Sequence, residues 1–259
     1  MSRPPDPLPR LYRWRSNMIH VPVMAVVTAA CGSISLLVSF VDKRGRIQHR
    51  IARIWARVLV WGTGCSLILR GAENLRKHPV AVYASNHTSY MDTPVIFAAL
   101  PFQFRILAKI ELWPIAFIGW YLGRSGQIPI DTANPRATLS SLGVGVKALR
   151  AGMPLFVFPE GGRTSDGDLR PFFSGAAYLA IRAQVPLIPI ALDGVFDLLP
   201  IHTHHFYPGE LTVSVGKPIQ TAGMTPRQTD ELNAQLRAAI EELRRERQAD
   251  AEKRHAEGE

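Results

Sequence analysis

Short apolar runs alternate with amphipathic stretches along the chain from about residue 66. The runs predict buried strands and the stretches predict covering helices, and their alternation is typical of an α/β sheet. The predicted strands lie near residues 80–84, 104–108, 127–130, 154–158, 187–192 and 211–216. The predicted helices lie near residues 89–99, 111–122, 135–151, 174–184 and 226–255.

The chain before residue 66 has a different pattern. Residues 1–17 are rich in Pro and Arg and predict a polar leader, whereas residues 19–41 contain no Asp, Glu, Lys or Arg. As a helix, the apolar stretch from Val21 would extend about 31 Å, close to the thickness of a hydrocarbon core. Pro22 and Gly32 weaken it as a spanning segment. A membrane-spanning helix and a hairpin that dips into one leaflet both fit this pattern.

A basic amphipathic helix is predicted between Lys43 and Leu69. Arg46, Arg50, Arg53 and Arg57 recur every three or four residues and so share one helical face. This pattern is typical of a helix in the lipid headgroup region, and a charged, solvated face on a core-packing helix would give the same spacing. The apolar residues roughly opposite the arginines are Ile47, Ile51, Ile54, Trp55 and Val58.

The net charge of +9 is concentrated in this N-terminal region. Residues 1–60 hold ten Lys or Arg against Asp6 and Asp42, whereas the rest of the chain holds 20 basic against 19 acidic residues. A nucleic-acid-binding domain would carry its excess charge on the folded body. Excess charge beside an apolar run instead indicates an anionic membrane surface as a partner, and no nucleic acid. The heavier basic flank follows residue 41, which predicts an inner-membrane protein with its folded domain on the cytoplasmic side.

We therefore divide the chain into three parts. Residues 1–65 form a membrane-associated helical region, residues 66–225 an α/β domain, and residues 226–259 a charged C-terminal helix that frays into solvent after Arg247. The two cysteines, Cys31 and Cys65, lack the spacing of a disulfide framework or a zinc motif.

Candidate chemistry first occurs where the predicted strand 80–84 ends. His87 follows that strand, and Asp92 lies about one helical turn further on, so its carboxylate could fold back and fix the imidazole tautomer. A neutral histidine held in this way can accept a proton from an alcohol at pH 7. A structural histidine capped by a helical Asp would show the same spacing. The chain has no G-x-S-x-G nucleophile elbow, which argues against a serine hydrolase and predicts that a substrate hydroxyl attacks directly.

A second group of residues, 158–165, follows the strand predicted at 154–158. Its glycines allow close backbone approach to a ligand, and Arg163 offers a planar fork that suits a phosphate monoester. A glycine-rich surface turn with a solvated arginine is the alternative interpretation. The run of His202, His204 and His205 has no acidic or cysteine partners at ligand spacing, so we expect an exposed loop there and no metal site.

Five ordered motifs resemble the glycerophosphate acyltransferase family, of the lysophosphatidic acid acyltransferase type. The NH-x4-D motif is formed by Asn86, His87 and Asp92, and the FPEGTR motif is matched at residues 158–163 with Gly162 in place of Thr. The V-P-I-x-P-V/I-A, G-x-E-N-L and A-K-x-E-L segments are matched at residues 185–191, 71–75 and 108–112. The resemblance implies a mixed, mostly parallel sheet flanked by helices.

The resemblance also implies a reaction. His87 would deprotonate the sn-2 hydroxyl of lysophosphatidic acid, while Asp92 would orient and stabilise His87. The hydroxyl would attack the thioester of acyl-CoA or acyl-carrier protein, and phosphatidic acid would form. The donor is a substrate, and no cofactor is implied.

The same family pattern assigns the acceptor pocket. Lys109 and Arg163 would bind the acceptor phosphate, and Glu160 and Gly161 would shape the pocket around it.

One departure from the family pattern concerns the acceptor. The family's G-x-x-F-I-D-R motif corresponds to residues 126–132, with Thr132 where an arginine thought to help hold the phosphate is usual. Arg136 lies one helical turn later and is a candidate substitute. Another lysolipid, such as a lyso-ornithine lipid, is therefore an alternative acceptor. A catalytically silent membrane-surface binding protein is an alternative of a different class.

Overall fold

The computed structural model describes residues 14–200 and 205–257, with side chains through Lys253. Most of the predicted polar leader, and His202 and His204 of the histidine run, lie outside the described residues.

The described strands form one sheet in the order β1-β7-β6-β2-β5-β3-β4. Neighbouring strands are parallel except for β6 and β7, which are antiparallel, so the predicted mixed and mostly parallel α/β class is confirmed. The carboxyl ends of β2 to β6 therefore meet at one edge of the sheet. The strands are β1 (Ser66–Arg70), β2 (Val82–Ser85), β3 (Arg105–Lys109), β4 (Ile128–Ile130), β5 (Leu155–Val157), β6 (Leu187–Asp193) and β7 (Glu210–Val215).

Helices cover both faces of this sheet. They are α1 (Val21–Val38), α2 (Arg46–Gly62), α3 (Ala72–Lys77), α4 (Asp92–Ala99), α5 (Ile118–Arg124), α6 (Pro135–Arg150), α7 (Gly175–Ala183), α8 (Val195–Leu198) and α9 (Thr229–Glu257). On one face, side chains of α2 and α4 pack against buried strand residues such as Tyr83 and Phe156. On the other face, α6, α7 and α9 pack against Leu155 and Leu187.

The predicted strands are confirmed within two residues, but the sequence missed β1. Its residues lie at the end of the segment predicted as a basic helix, which in fact ends at Gly62. Gly64 has φ +77, a conformation that suits glycine and ends the helical path before the strand. β1 pairs in parallel with β7, whose residues lie about 144 positions later, so its stabilising partner is not local.

Two helix predictions also need correction. The helix predicted at residues 111–122 is a short 3₁₀ turn, Ile110–Leu112, followed by α5. Phe117 separates the two with φ 63, and the backbone of Gly119 lies so close to Trp113 that a Cβ there would meet its carbonyl oxygen. The C-terminal helix continues to Glu257 instead of fraying after Arg247, and it carries an Arg70–Asp250 ion pair of 2.6 Å.

The N-terminal helices α1 and α2 form an antiparallel hairpin. Trp55 of α2 donates a hydrogen bond to Thr28 of α1 at 2.9 Å, and Ser35 of α1 contacts Gln48 of α2 at 3.5 Å. A π-helical turn, Ser16–His20, precedes α1 and continues into it. Among the described residues, Ser16–Val38 is the helical stretch long and apolar enough to cross a membrane, and little of it is buried in the protein.

Helix α2 has three different sides. A buried side packs on the domain through residues such as Ala52, Ala56 and Leu59. The arginines form a second side, and exposed apolar residues form a third. The helix therefore packs on the core and also displays an amphipathic surface. Its location in the lipid headgroup region stays a prediction. The exposed apolar residues are Ile47, Ile54, Val58 and Trp61.

Candidate active site

Asn86 fixes the turn that follows β2. Its buried side chain donates a hydrogen bond to the carbonyl of Leu192 at 2.9 Å and accepts one from the N–H of Leu192 at 2.8 Å. The amide thus pairs with the neighbouring strand β6 as a peptide group would. Because Asn86 is held on both atoms, the next residue, His87, starts from a fixed backbone position at the carboxyl edge of the sheet.

Asp92 is the first residue of α4 and is completely buried. Its Oδ2 accepts hydrogen bonds from the N–H of Thr88 at 2.5 Å and of Ser89 at 2.9 Å, and lies 2.8 Å from Nδ1 of His87. The backbone donors and the helix N-terminus favour the ionised carboxylate. An ionised carboxylate can only accept, so Nδ1 carries the proton and Nε2 of the neutral ring keeps its lone pair.

The imidazole of His87 is fixed by stacking as well. Its ring lies 4.1 Å from the ring of Phe158 at an interplanar angle of 21°. About 20% of the side chain is exposed, and Nε2 has no hydrogen-bond partner within the described chain. The geometry leaves one basic nitrogen open to a reactant.

The loop after β5, residues 158–174, is hereafter the β5 loop. Its Glu160 is 4% exposed, accepting hydrogen bonds from the N–H of His87 at 2.8 Å and from the N–H of Arg170 at 3.0 Å. Burial raises the pKa of Glu160, and these two hydrogen bonds lower it in part. Both carboxylate oxygens of Glu160 therefore accept backbone N–H groups, and the residue links the β5 loop to the turn that carries His87.

Gly161 occupies a position where a side chain does not fit. Its φ is +64, and a Cβ would lie 2.6 Å from Cε2 of Phe173. Glycine adopts this left-handed conformation without steric cost, so the tight path of the β5 loop depends on it.

Arg163 lies over the ring of Tyr90, with its guanidinium carbon 3.3 Å from the ring centroid. The N–H of the next residue, Thr164, donates a hydrogen bond to the carbonyl of His87 at 3.1 Å, so Arg163 lies beside the turn that carries the histidine. Nη1 of Arg163 is buried and has no hydrogen-bond partner among the described residues. The stacked guanidinium is thus a fixed cation with donor capacity left over.

Lys109, the last residue of β3, is exposed beside the β5 loop. Its Nζ lies 3.8 Å from the position that a Cβ on Gly162 would take. The predicted site residues, from His87 to Arg163, therefore lie at or after the carboxyl ends of strands at one edge of the sheet. Thr132 and Arg136 are exposed beyond the end of β4, next to β3 in the sheet.

Sequence reasoning missed three contributors to this site. Tyr90 was visible inside the His87 segment, but nothing local indicated that Arg163 would stack on it. Phe158 belongs to a motif, but nothing in the sequence indicates that its ring lies beneath the imidazole. No sequence signal points to Arg170, because its approach to Gly162 arises only when the β5 loop turns back on itself.

Comparisons with known proteins show which family the chain resembles. A family model described as Acyltransferase matches residues 66–193. The 1-acyl-sn-glycerol-3-phosphate acyltransferase of Pseudomonas aeruginosa is 31% identical over 203 residues, which cover 76% of this chain and 78% of that protein. The chloroplastic 1-acyl-sn-glycerol-3-phosphate acyltransferase of Arabidopsis thaliana is 32% identical over 178 residues, which cover 68% of this chain and 49% of that protein.

The chain thus spans about half the length of two chloroplastic relatives, that of Arabidopsis thaliana and one of Brassica napus. A solved structure extends the likeness to the fold. The crystal structure of the 1-acyl-sn-glycerophosphate acyltransferase from Thermotoga maritima has a TM-score of 0.77 and 21% identity, and covers 91% of this chain and 98% of that one.

Proposed function

Because this chain belongs to the acyltransferase family of the 1-acyl-sn-glycerol-3-phosphate acyltransferases, as its motifs predicted, we propose that it acylates the sn-2 hydroxyl of lysophosphatidic acid and forms phosphatidic acid. One observation supports this above the others: a fixed arginine lies beside the turn that carries a carboxylate-bound histidine with an open Nε2. A base for an alcohol and a cation for a phosphate are the two groups that this reaction requires.

In the proposed mechanism, Nε2 of His87 takes the proton from the acceptor hydroxyl. The hydroxyl oxygen then bonds to the thioester carbonyl carbon, giving a tetrahedral oxyanion. Asp92 stabilises the imidazolium across the 2.8 Å contact. When the oxyanion collapses, the carbon–sulfur bond breaks and the proton on Nε2 passes to the departing thiolate. A positioned base of this kind contributes roughly 10²–10⁴ in rate.

Acceptor recognition rests on charge. Nζ of Lys109 lies 3.8 Å from where a Cβ on Gly162 would be, and Arg163 is the next residue of the β5 loop. The phosphate monoester of lysophosphatidic acid carries close to two negative charges at pH 7. Arg163 presents a planar fork, and Lys109 presents a compact point charge. An acceptor without the phosphate would leave both cations without a counterion.

The donor is a fatty acyl thioester, either acyl-CoA or acyl-carrier protein. It is consumed as a substrate, and the proposed steps need no cofactor. The two donors differ in the size of the group attached to the sulfur, so parallel assays with each distinguish them.

We place the N-terminal hairpin in one leaflet of the cytoplasmic membrane, with the α/β domain on the cytoplasmic side. The Thr28–Trp55 bond joins the middle of the apolar stretch to α2 between Arg53 and Arg57. If α1 spanned the bilayer, these arginines would lie near the bilayer centre. Each would then cost roughly 2.5–3.5 kcal/mol of insertion free energy. A hairpin lying in the interface instead buries the exposed valines and isoleucines and leaves the arginines among anionic headgroups.

The test is an acyl-transfer assay with purified protein in vesicles containing anionic lipid. Lysophosphatidic acid, lyso-ornithine lipid and monoacylglycerol are offered separately with acyl-CoA or acyl-carrier protein, and the products are identified by mass spectrometry. We expect phosphatidic acid from lysophosphatidic acid. Efficient acylation of another lysolipid alone would establish the alternative acceptor. Vesicle binding without transfer to any acceptor would establish a silent membrane-surface protein.

A further inference from the structure

Arg170 is an exposed arginine of the β5 loop whose guanidinium turns back towards the site. Its Nη1 donates a hydrogen bond to the carbonyl of Arg163 at 3.3 Å and lies 3.6 Å from where a Cβ on Gly162 would be. Nζ of Lys109 lies 3.8 Å from the same point. Two cationic groups therefore converge on Gly162, where no side chain stands between them.

In the described part of the chain, no carboxylate neutralises these cations directly. Among the residues that the structure describes, none of Lys109, Arg163 and Arg170 forms an ion pair within 4.0 Å. The nearby Glu160 uses both oxygens on backbone N–H groups, one of which belongs to Arg170 itself. Like charges held this close repel each other, and an anion bound between them would relieve that repulsion.

Asp166 is the acidic group in the same turn, and its carboxylate is engaged elsewhere. It accepts hydrogen bonds from the hydroxyl of Thr164 and from the N–H of Asp168, which are the main reasons for its lowered pKa. The charge of Arg170 makes the smallest contribution to that lowering. Apart from the bond from Nη1 to the carbonyl of Arg163, the guanidinium N–H groups of Arg170 are thus left for a ligand.

The C-terminal helix holds the backbone around Arg170. Arg237 donates hydrogen bonds to the carbonyl of Arg170 at 2.7 Å and to that of Leu169 at 3.4 Å. Asn233 donates to the carbonyl of Phe172 at 3.0 Å, and Arg244 donates to that of Gly167 at 2.8 Å. The helix is itself fixed, because its buried side, with Leu232, Leu236 and Ile240, packs on the sheet.

We propose that Arg170 is a further acceptor-binding residue, which binds the phosphate monoester together with Lys109 and Arg163 over Gly162. Arg237 is a positioning residue that acts through the carbonyl of Arg170. This inference rests on the proposed function, since it names a ligand-binding residue for that reaction. It gives the charged C-terminal helix a part in acceptor specificity.

The first test compares Arg170→Ala with Arg182→Ala. Arg182 is also exposed, but it lies near the end of α7, just before β6 begins and therefore at the opposite edge of the sheet. We expect Arg170→Ala to raise the KM for lysophosphatidic acid about tenfold with kcat within twofold, Arg170→Lys to restore most of the loss, and Arg182→Ala to match the wild type. An unchanged KM in Arg170→Ala would overturn the proposal. So would an equal loss with monoacylglycerol, because that acceptor has no phosphate.

The second test addresses Arg237. Arg237→Ala should raise the KM for lysophosphatidic acid, and the double variant with Arg170→Ala should be no worse than Arg170→Ala alone. Independent, multiplying effects would refute the positioning role. Thermal unfolding of each variant separates a local change from general loss of the fold.

A binding measurement keeps this inference separate from the proposed reaction. Calorimetric titration of the full-length protein with glycerol 3-phosphate should give about tenfold weaker binding for Arg170→Ala than for Arg182→Ala. If the wild type acylates no lysophosphatidic acid, the proposed function fails. The titration still decides whether Arg170 binds a phosphate monoester, because equal affinities would overturn that role by themselves.

Discussion

Nδ1 of His87 lies 2.8 Å from Oδ2 of Asp92, and that same oxygen accepts the N–H groups of Thr88 and Ser89. One carboxylate oxygen thus organises both the turn and the imidazole. The two backbone hydrogen bonds hold the carboxylate in place. Its contact with Nδ1 therefore fixes the orientation of the imidazole ring. A change at either residue should therefore have a distinct and measurable effect.

Replacing the base should remove catalysis and leave the fold intact. His87→Ala deletes the open Nε2, and we expect kcat to fall by roughly 10²–10⁴. The side chain is only partly buried, so unfolding temperature and vesicle binding should stay near the wild type. Steady-state acyl transfer, with vesicle co-sedimentation as the control, checks this. Near-normal kcat would rule out His87 as the base.

Asp92→Asn and Asp92→Ala should differ. With its amide oxygen in the place of Oδ2, Asn can still accept from the backbone of Thr88 and Ser89 and from Nδ1. It carries no negative charge, however, so it would not stabilise the imidazolium that forms when His87 takes the proton. We expect Asn to lower kcat by roughly 10²–10⁴ with a small change in stability. Ala additionally leaves buried donors unpaired, and should cost a further 1–3 kcal/mol or so of unfolding free energy. Denaturant unfolding beside kinetics separates the two effects.

Adjacent glycines of the β5 loop provide a matched pair for stability. Gly161→Ala places a methyl group at φ +64 and against Phe173, which should cost about 1–2 kcal/mol. At Gly162 an added Cβ meets only ordinary contacts at 3.6 and 3.8 Å, so Gly162→Ala should be nearly neutral for stability. Thermal unfolding should show a drop of several degrees for the first variant. Equal melting temperatures would show that the β5 loop relaxes freely around residue 161.

His49 should make the fold acid-sensitive. Burial between Phe97 and Phe104 lowers its pKa from 6.5 to about 4, so the folded state prefers the neutral ring. The unfolded chain then binds more protons between pH 6.5 and pH 4, and the stability from His49 is complete above pH 6.5 and lost as pH falls towards 4. The expected loss between pH 7 and pH 4.5 is about 2 kcal/mol.

His49→Gln should flatten this dependence, since glutamine can still donate to the carbonyl of Phe102 and does not titrate. Asp193 is the control, because burial raises its pKa to about 6. The folded state retains that proton, so the contribution of Asp193 to the unfolding free energy decreases as pH rises from 3.8 to 6. This dependence is opposite in sign to that of His49. Asp193→Asn should therefore steepen the acid loss. Unfolding free energies from denaturant titration at several pH values test both signs.

The one-leaflet arrangement predicts where the N-terminus lies. A peptide tag placed before Met1 should be digested by protease added to the cytoplasmic face of sealed, inside-out membrane vesicles, because the hairpin returns to the side of the α/β domain. A spanning α1 would protect the tag until detergent opens the vesicles. Digestion of the α/β domain itself in the same sample is the internal control for orientation.

Much of the sheet could be predicted because its buried strands are contiguous apolar runs bounded by turn residues. β1 could not, because its five residues continue an apolar helix pattern and acquire a partner only when the distant β7 is placed. The break before α5 was also hidden, since the close approach of Gly119 to Trp113 depends on backbone path and not on composition.

The same distinction between local patterns and contacts of distant segments holds within the site. The His87–Asp92 pair is local, so a spacing of five residues was enough to predict it. The stacking of Arg163 on Tyr90 joins segments about 73 residues apart along the chain, and no spacing rule reaches that far. The approach of Arg170 to Gly162 is short in sequence but depends on the carboxylate of Glu160 and on a helix that begins at Thr229.

Helix α2 packs on α4 through its buried side, and α4 begins with Asp92. If the other sides of α2 lie in the leaflet as proposed, two rigid, directly stacked helices join the lipid phase to the imidazole, without an intervening hinge. The height of the reactive nitrogen above the bilayer is then a fixed dimension of the protein. That dimension would set the depth at which the glycerol of a lysolipid can meet the base.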